Sequence, residues 1–223
     1  MKYIKKSSPP GELVSYKKLP SSTYEDLVVN HHDIYEITRL SLAEEQGYIC
    51  CYCGQRITGF EGTQIEHIFP KGTAAYEKMQ LDYETNLIAS CDGGKYKRKI
   101  DPTIPVDELH CDTKKHQDPI PVTPLNPLCE DKFLFNINGD IIGVGADAEA
   151  TIEILNLKSP ILKNMRKAAI DYYSQFPPTN WNEELEKLKQ KNTNDQFTEF
   201  CFVLKSYIEV FHSEELRQPI VIT

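Results

Sequence analysis

Apolar residues along the chain fall into helical spacing at both ends and lose any period in the middle. Ile34, Ile37, Leu40 and Ala43 repeat every three residues, which predicts an amphipathic helix that Gly47 ends. Pro20-Ser21-Ser22-Thr23 offers helix N-caps. Further on, Asn138-Gly139 sits between the apolar runs 133–137 and 141–144, the signature of a two-strand hairpin. Ser159-Pro160 predicts the start of a helix running to about Phe176, stopped by Pro177-Pro178. Asn180 caps a charged helix through Leu188, and 196–212 reads as a last, more apolar helix.

The stretch 47–125 has no long amphipathic run and is broken by Gly and Pro. Its local apolar burial is thin, and a region of that kind needs a staple. Three parts result: a 1–46 arm with a helix, a 47–125 centre, and a 126–223 hairpin followed by helices. The fold class predicted is α+β.

Composition narrows the staple. Hydrophobic residues make up 40% of the chain and charged residues 26%, an ordinary globular balance. No apolar run is long enough for a membrane span, and the basic start lacks an apolar signal region. A cytoplasmic protein with no membrane partner is the expectation. In a reducing compartment the seven cysteines read as metal ligands or buried side chains rather than disulfides. Cys50-Cys51-Tyr52-Cys53 contains a C-x-x-C knuckle followed by Gly54, and Cys91 and Cys111 complete a tetrahedral Cys₄ zinc set. Cys51 is the alternative to Cys50, and a thiol–disulfide motif is the rival use of the knuckle. Cys129 and Cys201 are expected to be plainly buried.

The net charge of −8 argues against a protein that coats duplex nucleic acid. It leaves room for local phosphate contacts, for which Lys95, Lys97, Arg98, Lys99 and Lys115 are the candidates, with solvated loop charge as the alternative. Glu66-His67 places a carboxylate beside an imidazole: the first suits a hard divalent ion, and the second accepts a proton from water. Adjacent strand residues face opposite ways, so both serve one centre only where the strand ends, as Pro70 suggests. If a helix starts near Cys111, Asp112 and His116 share a face at i,i+4.

In this order, Cys50-x-x-Cys53, Glu66-His67-x-x-Pro70, Asn86-x₄-Cys91 and Cys111-Asp112-x-x-Lys115 resemble the motif set of the HNH endonuclease family. Within it, the chain is similar to the nuclease subunit of Septu antiphage systems, which also occurs with some retrons. The resemblance covers most of the chain. It implies a zinc-stapled ββα-metal core hydrolysing nucleic-acid phosphodiester bonds with Mg²⁺ or Mn²⁺, and an ATPase partner subunit. By the same resemblance His67 is the general base, Asn86 holds the catalytic loop and the His67 ring, and Glu66 and Asp112 are metal ligands. Asp112 stands where the family usually has its last His, which leaves His110 or His116 to take part of that role. A zinc-stabilised binding module without catalysis is the alternative. DNA and RNA such as tRNA both remain open as substrates. For a partner, the apolar stripe Phe197, Phe200, Leu204, Ile208 and Phe211 is the candidate docking face, with core packing as its rival.

Overall fold

A computed structural model describes residues 1–216. It is a mixture of helices and two small antiparallel sheets. Three helices come first: α1 (Gly11–Tyr16), α2 (Tyr24–Asn30) and α3 (His32–Glu45). Thr23 starts α2 by accepting a hydrogen bond from the Asp26 amide, and two acids, Glu25 and Asp26, occupy its first turn. The helix expected over 34–45 forms as α3. Gly47 lies just past it at φ 59°, the left-handed backbone that closes a helix.

The centre holds β1 (Thr63–His67) and β2 (Leu87–Cys91), followed by α4 (Lys95–Ile100) and α5 (Cys111–Lys115). The two strands pair antiparallel from Thr63↔Cys91 to His67↔Leu87. α3 packs across both strands and α5 packs on β2. Gln46, fully buried at the end of α3, extends the pairing. Its side chain accepts from the Ala89 amide at 2.7 Å and donates to the Ala89 carbonyl at 2.7 Å and the Ile49 carbonyl at 3.1 Å. This amide ties the cysteine knuckle to β2.

The third part comprises β3 (Phe133–Phe135), β4 (Ile141–Gly143), α6 (Ala146–Ile154), α7 (Pro160–Gln175), α8 (Trp181–Leu188), α9 (Cys201–Phe211) and α10 (Ser213–Leu216). The Asn138-Gly139 hairpin forms, with Gly139 at φ 77° and the Lys163 carbonyl where a Cβ would stand. Asn180 caps α8 through the Asn182 and Glu183 amides. Ser159 differs from expectation: its side chain makes no cap bond, and Pro160 alone presets the start of α7.

α9 begins later than the periodicity predicts. Phe200 has φ 56°, which no helix continues through. The chain before it is held by pairing with the knuckle region, Phe197 N–H to Gly47 O at 3.0 Å and Phe200 N–H to Gly54 O at 2.9 Å. Most of the apolar stripe is core: Phe200, Leu204 and Ile208 are 5%, 2% and 0% exposed and Phe197 is partly buried, while Phe211 at its end is exposed. Among the described residues no helix is long and apolar enough to cross a membrane.

Candidate metal centre and adjoining carboxylate–histidine cavity

Four buried sulfurs, those of Cys50, Cys53, Cys91 and Cys111, lie within 4.8 Å of one another. Cys50 and Cys111 are 3.9 Å apart, and Cys53 and Cys91 are 3.8 Å apart. A tetrahedral zinc site with bonds of ~2.3 Å demands sulfur separations of about 3.8 Å, so these two separations match and the set is compatible with zinc. The knuckle is a tight turn. The Cys50 amide donates to Gln55 O, the Gly54 amide donates to Cys50 O, and Ile49 bridges Arg56. Gly54 is required there, since φ is 85° and a Cβ would meet the Phe202 ring at 2.8 Å.

The other two ligands, distant in sequence, are joined by a close backbone crossing. Gly93, two residues beyond Cys91, accepts a hydrogen bond from the His110 amide at 3.1 Å. A Cβ at Gly93 would stand 1.8 Å from the His110 carbonyl oxygen. Cys111 itself has φ 52° and donates its amide to Leu155 O at 2.9 Å, so the C-terminal part holds the fourth ligand in place. Cys51 is buried outside the set, and Cys129 and Cys201 are buried as expected.

One residue beyond Cys111 begins a second centre. A cavity of about 180 Å³ is lined by Glu66, His67, Lys71, Asp112 and His116, among others, with Tyr24 entering from α2. β1 ends at His67, which lets Glu66 and His67 line the same cavity despite their opposite strand orientation. Glu66 is 4% exposed and accepts from Tyr52 Oη at 3.1 Å and Lys115 Nζ at 2.9 Å. Burial works against its charge, but the hydrogen bond with Asp112 and the Lys115 ammonium hold its carboxyl below the usual range. Asp112 takes the opposite course. Burial, then the hydrogen bond and charge of Glu66, push it up to about 8. Two carboxyls in such contact repel when both are ionised. Their oxygens are hard donors of the kind that could hold a small divalent cation.

His67 Nε2 lies 2.9 Å from the Gln80 carbonyl, which accepts only from N–H. The proton is therefore on Nε2, and Nδ1 is the basic nitrogen. Burial pulls the ring down to about 4, with Lys71 and Lys115 adding to the effect against Gln80 and Glu66. The imidazole is neutral at physiological pH.

Asn86 is fully buried and spans the loop between the strands. Its Oδ1 accepts from the Phe69 amide at 2.7 Å, and its Nδ2 donates to Met79 O at 2.9 Å and Phe69 O at 3.3 Å. It reaches the His67 ring indirectly, by fixing the backbone next to Gln80.

The remaining candidates separate. His116 lines the cavity, whereas His110 is buried against Cys91 with Nδ1 at 3.0 Å from Glu108 O, on the cysteine side. Lys95, Lys97 and Lys99 are exposed on α4, while Arg98 turns its Nε to Ile104 O at 3.1 Å. Lys115 is placed differently from its reading as a phosphate contact. It is 1% exposed, and its ammonium is spent on Glu66 and on the His67 carbonyl at 2.7 Å. Tyr24, Tyr52, Lys71 and Gln80 were not singled out as site residues from the sequence. An aromatic in a first helical turn and a tyrosine inside a knuckle carry no signal beyond burial. A larger open groove of about 740 Å³ lies against Cys91, Tyr96 and Lys97, but Glu66, His67 and Asp112 do not line it. Compared with models of known protein families and with curated proteins, the chain has no match in either.

Proposed function

We propose that this chain is a metal-dependent nuclease of the HNH type, with β1, β2 and α5 as its ββα-metal core and the four cysteines as its structural zinc site. The observation that carries the reading is the meeting of Glu66, His67 and Asp112 in one cavity directly beside the cysteine set. A structural site alone has no use for a buried neutral imidazole with a fixed tautomer facing two coupled carboxyls.

The chemistry follows from these groups. His67 Nδ1 takes a proton from a water molecule as the water oxygen attacks phosphorus. The bond from phosphorus to the 3′ oxygen breaks, and the departing oxygen takes a proton from solvent. A Mg²⁺ or Mn²⁺ ion held by Glu66 and Asp112 would supply Lewis-acid stabilisation of the charge growing on the phosphate and the leaving oxygen. Lys115 keeps Glu66 oriented, and Asn86 holds the 69–79 loop that seats Gln80 under the base. Exposed Lys95, Lys97 and Lys99 attract the nucleic-acid backbone. By its resemblance to Septu-type nucleases the protein acts in antiphage defence with an ATPase partner.

A binding module that has lost catalysis is the second reading. Lys115 favours it, because its ammonium already occupies one oxygen of Glu66. The deciding experiment is cleavage of single- and double-stranded DNA and of tRNA by the zinc-loaded protein with Mg²⁺ or Mn²⁺, with and without the ATPase. We expect cleavage that His67→Ala lowers by about 10²–10⁴ while zinc content stays unchanged. Equal cleavage by wild type and His67→Ala rules out the mechanism, and binding without cleavage under every condition selects the second reading.

A further inference from the structure

Among the described residues lining the cavity, Lys71 is the one side chain that carries a fixed positive charge and reaches solvent. It makes no hydrogen bond or ion pair with them. Its ammonium instead lies 4.0 Å from the centroid of the Tyr24 ring, a cation–π seat that leaves its N–H donors free for a ligand. The same ring meets His67 edge-on, with centroids 4.5 Å apart and planes at 83°. Gln80 closes the unit: its side chain accepts from the Tyr24 amide at 2.8 Å, and its carbonyl holds His67 Nε2. Base and cation are thus registered against one aromatic ring supplied by the N-terminal arm.

We propose that Lys71 is a catalytic residue that binds a non-bridging oxygen of the scissile phosphate, with Tyr24 as the positioning residue that sets its place relative to His67. The inference rests on the hydrolase reading and names the group that meets the anion. Glu66 is engaged by Lys115, and in the proposed reaction both acids serve the divalent ion, so the incoming phosphate needs a separate donor on the substrate side. Lys115 is unavailable for this, being buried and already bonded. Lys71 lies on the loop between the strands and is exposed, so its removal does not disturb the core.

The test uses the full zinc-loaded chain. Single-turnover cleavage is measured for wild type, Lys71→Met, Lys71→Arg, Tyr24→Phe and Tyr24→Leu. Substrates carry either the normal phosphate or an uncharged methylphosphonate at the mapped cleavage position. Binding of a labelled oligonucleotide to His67→Ala and to His67→Ala/Lys71→Met is followed by fluorescence anisotropy. We expect Lys71→Met to slow cleavage about 10²–10³-fold, the range for losing one preorganised donor. Lys71→Arg restores part of the rate, and the penalty vanishes on one methylphosphonate isomer. Tyr24→Phe, which keeps the ring, loses less rate than Tyr24→Leu, with zinc content unchanged in both. Binding falls less than cleavage does. Wild-type rates in Lys71→Met, or an equal penalty on charged and uncharged substrates, overturn the assignment while the His67 mechanism stands. No cleavage by wild type removes both.

Discussion

A lysine ammonium at 1% exposure survives only where its surroundings replace water, and Lys115 shows how that is done. Glu66 supplies the charge, the His67 carbonyl supplies a second acceptor, and Tyr52 fills a further position on Glu66. Removing one partner of such a pair leaves an uncompensated buried charge, which costs more than the pair itself contributes. Lys115→Met is therefore expected to destabilise the zinc-loaded protein by ~3–5 kcal/mol, and Glu66→Gln/Lys115→Met by less, in urea denaturation. A loss under about 1 kcal/mol in the single variant contradicts this account. The same residue marks a limit of sequence reading. Lys114-Lys115 on a five-residue helix looks like solvated charge, and only the end of β1, far away in sequence, makes one of the two internal. Asn86 and His67 were marked in the sequence by the motif order of the HNH resemblance. Tyr24 was not, because its partners Gln80 and Lys71 reach it through tertiary contact alone.

Elements whose ends are fixed by their own residues matched the sequence pattern. Thr23 caps α2, Gly47 follows α3, and Asn180 caps α8. Elements set by distant backbone did not: the start of α9 is displaced to Cys201 because residues 197–200 pair with the knuckle. α7 shows such long-range control acting in the other direction. Its Arg166 is 2% exposed, with Nε donating to Gly139 O at 2.7 Å and Nη2 without a partner. Burial pulls the guanidinium down to about 10, against the opposing pull of Cys53, Asp140 and Cys111. Four thiolates around zinc carry a net charge of −2, so a buried guanidinium near them offsets part of it. Arg166→Met is expected to weaken zinc retention by about 10-fold or more in competition with a chelator. Unchanged retention in a folded variant means that Arg166 serves only the β3–β4 turn.

At the scale of the molecule, the four-cysteine set joins a centre that, contrary to the thin burial expected from its sequence, puts Ile65, Leu87, Ile88 and Ala89 into the core. Its ligands come from the knuckle, the end of β2 and the start of α5, and Asp112 follows the last of them directly. Metal removal should therefore disorder the cavity as well as the staple. Structural zinc contributes ~10–16 kcal/mol in small domains, so a chelator is expected to lower the thermal midpoint sharply and abolish any cleavage that added Mg²⁺ alone does not restore. A midpoint insensitive to chelation would mean that the cysteines pack without metal. The α+β class and the cysteine set were legible because thiol spacing is a local code. The backbone crossing at Gly93 that joins Cys91 to Cys111 was not. That joining has a topological consequence. Cys50 and Cys111 are 61 positions apart, and the exposed stretch 101–107 lies between the last two ligands. A protease that severs this stretch cuts the polypeptide without cutting the molecule. Two bands on a denaturing gel would still travel as one native particle, joined by the four-cysteine set and by the pairing of Phe197 and Phe200 with the knuckle.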